Sequence, residues 1–346
     1  LSLHDALPIL NIRDIARLAG VGVSTVSRVI NDHPDVKDET REKILKIIKE
    51  SNYIPNNSAR ILKKNNTNNI GVLVKGVFNP FFAEMINIIG NRINEAGYTM
   101  ILQQNDYATE DDVDNLIAFV KEKRLQGIIC LGGNFLNIND ESFQFLDIPV
   151  VLTSVNTLSK ESKSKFSSIG IDNVLAAKAS IQYLIDKGHR NIGILLGEKN
   201  DVGISGLRLE GYKKALEENN IPYSEENVFI GDYDYSGAYR VTKEIINNRK
   251  DITAIFSISD IMAVGAAKSV IDQGLQVGED ISIMGFDGMD ISKYYNPGIT
   301  TVKQPKKNMA NNSIDLLLAL LAKKEDHKHI IFETKIIERE SCKEVV

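Results

Sequence analysis

The chain has 346 residues, 43% of them hydrophobic and 25% charged, with 41 Lys/Arg against 46 Asp/Glu for a formal net charge of −5. These values fit a globular chain long enough for two or three domains with buried cores, and they exclude a mainly disordered chain or one coated in basic patches. The charge is uneven: residues 1–64 hold 11 Lys/Arg against 8 Asp/Glu, and the remainder holds 30 against 38, so a basic head precedes an acidic body. There is no apolar run of about 18 residues, so no membrane span is expected. Cys130 and Cys342 have neither metal-ligand spacing nor a disulfide framework, which fits a reducing cytoplasm and predicts no metal and no cofactor.

Residues 1–10, LSLHDALPIL, lack the basic start and small-residue cleavage site of a signal peptide. They read as a non-native leader and are set aside. From Asn11 two short helical patterns are broken at Ala19-Gly20-Val21-Gly22. Ile12, Ile15, Ala16 and Ala19 form one apolar face. Val26, Val29 and Ile30 face inward on the second helix, and Val23, Ser24, Ser27 and Arg28 face outward. A third helix starts between Asp35 and Asp38, with Ile44, Leu45, Ile47 and Ile48 as its buried stripe, and the unit ends near Tyr53. This is the layout of a helix-turn-helix, whose second helix presents its first turn to the major groove. The head is placed at 11–56.

Pro55-Asn56-Asn57-Ser58 interrupts the pattern, a short helical stretch runs to Lys63, and a polar run ends at Asn69. Six helical residues are too few to stand alone in water, so 57–69 reads as a segment that orders only when docked. From Ile70 onward apolar strands alternate with helices. Strands are expected at 70–74, 99–103, 127–131, 150–153, 192–196, 254–257 and 281–285, with helices at 82–96, 111–122, 174–187, 208–219, 238–248 and 262–273. This alternation predicts parallel sheets covered on both faces, arranged as two similar lobes across 70–341. The N-lobe is placed at about 70–169 and 304–331, the C-lobe at about 170–303 and 332–341.

The first helix pair, Asp14-Ile15-Ala16-Arg17-Leu18-Ala19-Gly20-Val21 and Ser24-Thr25-Val26-Ser27-Arg28-Val29-Ile30-Asn31, resembles the lac repressor/gal repressor family of bacterial transcription regulators. Thr40-Arg41-Glu42-Lys43 and Asn52-Tyr53-Ile54-Pro55-Asn56 continue the match, which runs through the core to Glu338-Arg339-Glu340-Ser341. The resemblance implies that Val23, Ser24 and Arg28 face base edges. Arginine can bind guanine O6 and N7 together, and serine or valine can touch a base edge or a thymine methyl. Thr25, Asn31 and Asn56 are then placed for phosphates, which position without specifying sequence. Two departures stand out. Gly22 replaces the usual serine before the recognition helix, and Lys37 stands where a capping serine is common. Lysine is unfavourable beside a helix N-terminus, yet it could restore a lost phosphate contact. Residues 57–63 resemble the family's hinge helix, with Leu62 as the minor-groove wedge and Ala59 as the close-approach position. The alternative for Leu62 is packing under the core.

The core motifs resemble those of type I periplasmic sugar-binding proteins, a fold this family shares. Asn79, Phe81 and Phe82 follow the first strand, while Ser259, Asp260 and Asp287 follow later ones, and ligands of open α/β sheets bind beyond the carboxyl ends of strands. Arg208 opens a helix of the second lobe, and Tyr233 matches a position where an aromatic ring faces the ligand. Phe81, Phe82 and Tyr233 have simple packing as an equally open reading. A carboxylate, a guanidinium and an aromatic face together favour a sugar-like effector, with a nucleobase or nucleoside as the alternative. Ser259 and Ser154 replace family residues of longer polar reach. His189 reads as structural, and His327 and His329 as solvated in a tail loop.

The expected function is a transcription regulator, most simply a repressor, whose affinity for a pseudo-palindromic double-stranded operator is controlled by a ligand between the lobes. A homodimer follows from two heads reading two half-sites, and no heptad-patterned extension suggests a tetramer. A phosphocarrier-type corepressor stays open as a further partner. A transporter component is disfavoured by residues 11–63. An enzyme is disfavoured because G-x-S-x-G, Walker A, H-E-x-x-H and G-x-G-x-x-G motifs are missing from the sequence.

Overall fold

The computed structural model describes residues 10–345 except 31, 52, 54–67, 76–79, 106–111, 134, 136, 137, 139, 145, 156–163 and 199–202. The leader residues 1–9, the hinge positions Ala59 and Leu62, and Asn31, Asn56 and Asn79 therefore lie outside the described residues. The chain divides into two compact units, 1–67 and 68–346.

In the first unit, α1 is Ile12–Ala19, α2 is Val23–Ile30 and α3 is Asp38–Glu50. A capping box starts α1: the Asn11 side chain accepts from the Arg13 and Asp14 amides, and Asp14 accepts from the Asn11 amide. Gly20 ends it in the left-handed region at φ +72°, where its amide reaches the Ala16 and Arg17 carbonyls. The Gly22 carbonyl then accepts from Thr25 and Val26, so α2 starts within two residues of the turn. Ile15, Ala16, Ala19, Val26, Val29 and Ile44 form the core, with Ile47, Ile48 and Tyr53 packed against it. Leu45, expected in that stripe, is exposed. It sits one position past Ile44, about 100° around the helix from the buried face.

The second unit contains two six-stranded sheets. The first has the order β11-β5-β4-β3-β1-β2, from β1 (Asn69–Lys75), β2 (Thr99–Asn105), β3 (Gly127–Leu131), β4 (Val150–Thr153), β5 (Ser167–Ile171) and β11 (His329–Phe332). All its pairings are parallel. The second has the order β12-β10-β9-β8-β6-β7, from β6 (Ile192–Leu196), β7 (Val228–Ile230), β8 (Ala254–Ser257), β9 (Ser282–Asp287), β10 (Thr300–Lys303) and β12 (Lys335–Ile337). It is parallel except for the β10–β12 edge. The helices are α4 (Pro80–Glu95), α5 (Asp112–Lys123), α6 (Asn173–Asp186), α7 (Ile204–Glu218), α8 (Tyr235–Asn248), α9 (Asp260–Asp272), α10 (Asp290–Tyr294) and α11 (Lys306–Leu321). Buried strand runs such as Gly127–Leu131 and Ile192–Leu196 are continuous apolar stretches because helices cover both faces.

The chain passes from one sheet to the other three times, between β5 and α6, between β10 and α11, and between β11 and β12. Asn69, expected in the linker, opens β1, where its side-chain amide donates to the Lys123 carbonyl at 3.2 Å. β5 runs to Ile171 and β11 to Phe332, so each extends past the lobe limits drawn at 169 and 331. His327 is half-buried in the loop before β11, and His329 is exposed but on the strand rather than in a loop. Their Nδ1 atoms meet the Ser167 and Ser168 hydroxyls at 2.9 and 2.8 Å, and His329 opens β11. His189 is buried, bonded to the Thr253 hydroxyl and the Lys343 carbonyl.

Candidate functional site

On the head, α2 turns Val26 and Val29 inward, which leaves Val23, Ser24 and Arg28 exposed on one side and Thr25 half-buried beside them. Arg28 is engaged: its Nη1 lies 3.2 Å from Asp35, whose other oxygen lies 3.4 Å from His33 Nδ1. Arg41 on α3 reaches back across the turn, donating to Asp32 at 2.6 Å and to the His33 carbonyl. The turn that carries Asp35 is thus pinned to α3. Lys37 holds the N-cap position of α3 with an exposed side chain and no side-chain capping bond. The acidic first turn, Asp38 and Glu39, offsets the lysine charge beside the helix start.

A second group forms at the carboxyl end of the second sheet. Asp260, Asp287 and Arg208 are 0%, 3% and 5% exposed, an expensive burial of charge unless the groups satisfy one another. Arg208 lies in the second turn of α7, whose first residue is Ile204, rather than opening that helix. Its guanidinium stacks 3.5 Å above the Phe286 ring, its Nε donates to Asn173 at 3.0 Å, and its Nη1 donates to the Ile258 carbonyl. The Asp287 Oδ1 accepts from the Gln304 side chain at 2.9 Å, while its buried Oδ2 has no hydrogen-bond partner. Burial pushes the Asp287 carboxyl above the usual range, opposed by the nearby Arg208 charge. Its backbone sits at φ +119°, an unusual conformation for a residue with a side chain and of the kind that clusters at ligand sites.

Asp260, expected to contact ligand, is instead committed to the protein. Its Oδ2 accepts from the Met289 amide and its Oδ1 from the Thr301 hydroxyl, both at 2.6 Å. Burial, then the neighbouring Asp287 charge, raises its carboxyl too. This side chain holds the turn after β9 in place. Ser259 caps α9 by accepting from the Met262 amide at 3.3 Å. Tyr233 packs its ring against Gly197, where an added Cβ would fall 1.9 Å from it, and its hydroxyl bonds Ser205 at 2.7 Å. On the other sheet Phe81 and Phe82 are buried edge to face, 5.3 Å between centroids, as part of the core. Gln304 and Ser205 carry no sequence signal of a role here, and Asn173 stands in a core motif, Ile169-Gly170-Ile171-Asp172-Asn173, to which the sequence assigns no ligand contact. They lie in other segments, and only the third dimension brings them to Asp287, Arg208 and Tyr233.

A helix-turn-helix at the start of the chain, followed along the chain by two lobes of largely parallel sheet with charged side chains gathered at strand ends, defines the class of a DNA-binding regulator with a periplasmic binding protein-like core. The chain belongs to the lacI family of bacterial regulatory proteins: residues 11–56 match that family's DNA-binding region, and residues 181–342 match a periplasmic binding protein-like domain. It is 63% identical over 333 residues to the HTH-type transcriptional regulator MalR of Clostridium butyricum, covering 96% of this chain and 99% of that protein. It is 35% identical to the HTH-type transcriptional repressor PurR of Proteus mirabilis (strain HI4320), covering 95% and 96% of the two chains. Among solved structures it is similar to a complex of the transcriptional regulator CelR with cellobiose, at TM-score 0.66 and 27% identity over 96% of this chain and 99% of that one. The lac repressor bound to ONPG in its repressed state gives TM-score 0.70 at 26% identity, again over 96% and 99%. The protein is a DNA-binding transcriptional regulator. No described helix is long and apolar enough to cross a membrane, and no described cluster of His, Cys, Asp and Glu could hold a metal ion.

Proposed function

We propose that this regulator is a repressor that binds a pseudo-palindromic operator as a homodimer and is released by a sugar-like effector seated between the two core lobes. The observation that carries the effector reading is the buried Asp287 Oδ2, which lacks a partner while Gln304 holds the other oxygen and the Arg208 charge acts on the group. A buried carboxylate oxygen without a donor is costly, and a ligand hydroxyl supplies one. The complex of CelR with cellobiose supports a saccharide, and a nucleobase or nucleoside stays as the second reading. Val23, Ser24 and Arg28 read bases, with Thr25, Asn31, Lys37 and Asn56 on phosphates and the Ala59–Leu62 segment in the minor groove. On the effector side Asp287, Arg208, Tyr233, Ser259, Asn79 and Phe82 surround the ligand, and Phe81 and Asp260 support them.

The effector acts only if it binds the DNA-competent and DNA-incompetent states differently. Three chain crossings connect the lobes, so relative lobe rotation is the bistable element on which a ligand at strand ends can act. A thermal-shift screen against mono- and disaccharides, sugar phosphates and nucleobases, followed by operator gel shifts with each hit, tests the reading. A saccharide should raise the melting temperature and release the operator. A nucleobase that does so while no saccharide binds would replace the sugar reading. A hit that strengthens operator binding would replace release with corepression.

A further inference from the structure

The carboxyl end of the first sheet carries a polar group that the effector contacts above leave unused. Lys75 and Asn105 are the last residues of β1 and β2, and Gly132-Gly133 directly follow β3. Lys75 Nζ lies 2.8 Å from Oδ2 of Asp112, the first residue of α5, with both side chains withdrawn from solvent at 14% and 3% exposure. Asn105 is 9% exposed, and its Nδ2 is buried without an acceptor. These three side chains, with the two glycines and Phe135, line a small cavity with room for about one oxygen-sized group.

The cavity adjoins a residue already assigned to the effector. A Cβ built on Gly132 would fall 3.0 Å from the Phe82 ring and 3.9 Å from Lys75 Cβ, and one on Gly133 would fall 3.3 Å from Asp112 Oδ2. Phe82, Lys75, Asp112 and the two glycines are therefore contiguous at strand ends, the region where ligands of parallel α/β sheets bind. A hydroxyl suits the lining because it both accepts and donates. It can accept from Asn105 Nδ2 while donating to the Asp112 carboxylate. A phosphate offers mainly acceptors and a charge near −2, which would face the buried Asp112.

We propose that Lys75, Asn105 and Asp112 form a socket for one hydroxyl of the effector and select an unphosphorylated saccharide. This rests on the sugar reading and narrows it to neutral sugars. The test is calorimetric titration of the full chain with maltose, cellobiose, glucose, glucose 6-phosphate and trehalose 6-phosphate, followed by monodeoxy derivatives of the tightest neutral sugar. A neutral sugar should bind at least tenfold more tightly than either phosphate. Asn105→Leu, nearly isosteric and without the donor, should weaken that sugar at least fivefold. One deoxy derivative should lose comparably on the wild type and lose nothing further on Asn105→Leu, a coupling that general loosening of the lobe would not give. Tighter binding of a phosphate, an unchanged Kd for Asn105→Leu, or equal losses of every deoxy sugar on both proteins overturns the socket. Asp112→Asn gives a second check, since it should narrow the gap between neutral and phosphorylated sugars. If no sugar of either kind binds and hypoxanthine does, the sugar reading itself has failed, and the socket with it.

Discussion

In the proposed reading, the Arg28–Asp35 ion pair keeps a base-reading side chain in reserve. Both are about half exposed, so their ion pair is worth little in water, and a guanine edge offering two acceptors can displace the carboxylate. Arg28→Ala should cost about 1–3 kcal/mol of operator affinity and relax preference at one base pair per half-site. Asp35→Ala should leave affinity unchanged or tighten it. If Asp35→Ala weakens specific binding as much as Arg28→Ala, the pair is acting as a unit on the DNA. Lys37 carries the phosphate proposal. Lys37→Ala should weaken binding to all sequences alike and lower the slope of log K against log salt by about 1 per head, and an unchanged slope rejects that contact. The core makes a pH prediction at this scale. Burial holds Asp260 and Asp287 above the ordinary carboxylate range, so the folded chain binds more protons here than the unfolded chain does. The stability this pair contributes is complete below the usual carboxylate pKa and is lost as pH rises through the raised values toward neutrality. Melting curves from pH 4.5 to 8 should therefore show a smaller decline for Asp287→Asn than for the wild type. Sugar affinity should rise over the same window, because a hydroxyl bonds an ionised carboxylate more strongly than a protonated one. The sequence points to Arg208 and Asp287 because each follows a strand or sits in a recognisable motif. It does not show that Asp260 is spent on Met289 and Thr301, since those bonds span 29 and 41 positions.

Whole elements are legible where burial writes itself into composition. The strands 127–131, 150–153, 192–196 and 254–257 have their expected limits, because each is a short apolar run closed by turn residues. β5 escapes the strand pattern since it starts Ser167-Ser168, polar residues buried inside the sheet with hydroxyls that bond His327 and His329. The α11 helix escapes it too, since Lys306-Lys307-Asn308 conceals its start, and its apolar face becomes meaningful only against α4. The α6–α7 contact shows what packing adds. A Cβ on Gly211 would lie 2.3 Å from the Val174 carbonyl oxygen and 2.8 Å from Ala177 Cβ, so the two helix backbones touch at this point. The obstruction is backbone and cannot rotate away. Gly211→Ala should destabilise the core by about 1–3 kcal/mol or more through forced helix separation, despite the better helix propensity of alanine. Urea unfolding is the measurement, and a stabilised variant would show that α6 and α7 can slide apart freely.

At the scale of the molecule, the two units must communicate for a regulator to work, and thermodynamics constrains how. In the proposed reading DNA is contacted through residues up to Leu62, whereas the effector groups lie between Lys75 and Gln304. No effector side chain is shared with the head, so the coupling is a difference in state populations rather than direct competition. A sugar that reduces operator affinity by a given factor must find its own affinity reduced by the same factor when operator is saturating. Typical couplings of 1–3 kcal/mol correspond to roughly 5–150-fold. The prediction has two independent measurements: the sugar Kd with and without saturating operator, and the operator Kd with and without saturating sugar. The two ratios should agree. Asn105→Leu should raise both sugar dissociation constants while leaving their ratio intact, because the socket binds sugar but does not set the balance between lobe arrangements. A changed ratio would move Asn105 from ligand recognition into the switch itself. Unequal ratios in the wild-type protein would mean that sugar and operator are not linked through a single pair of states.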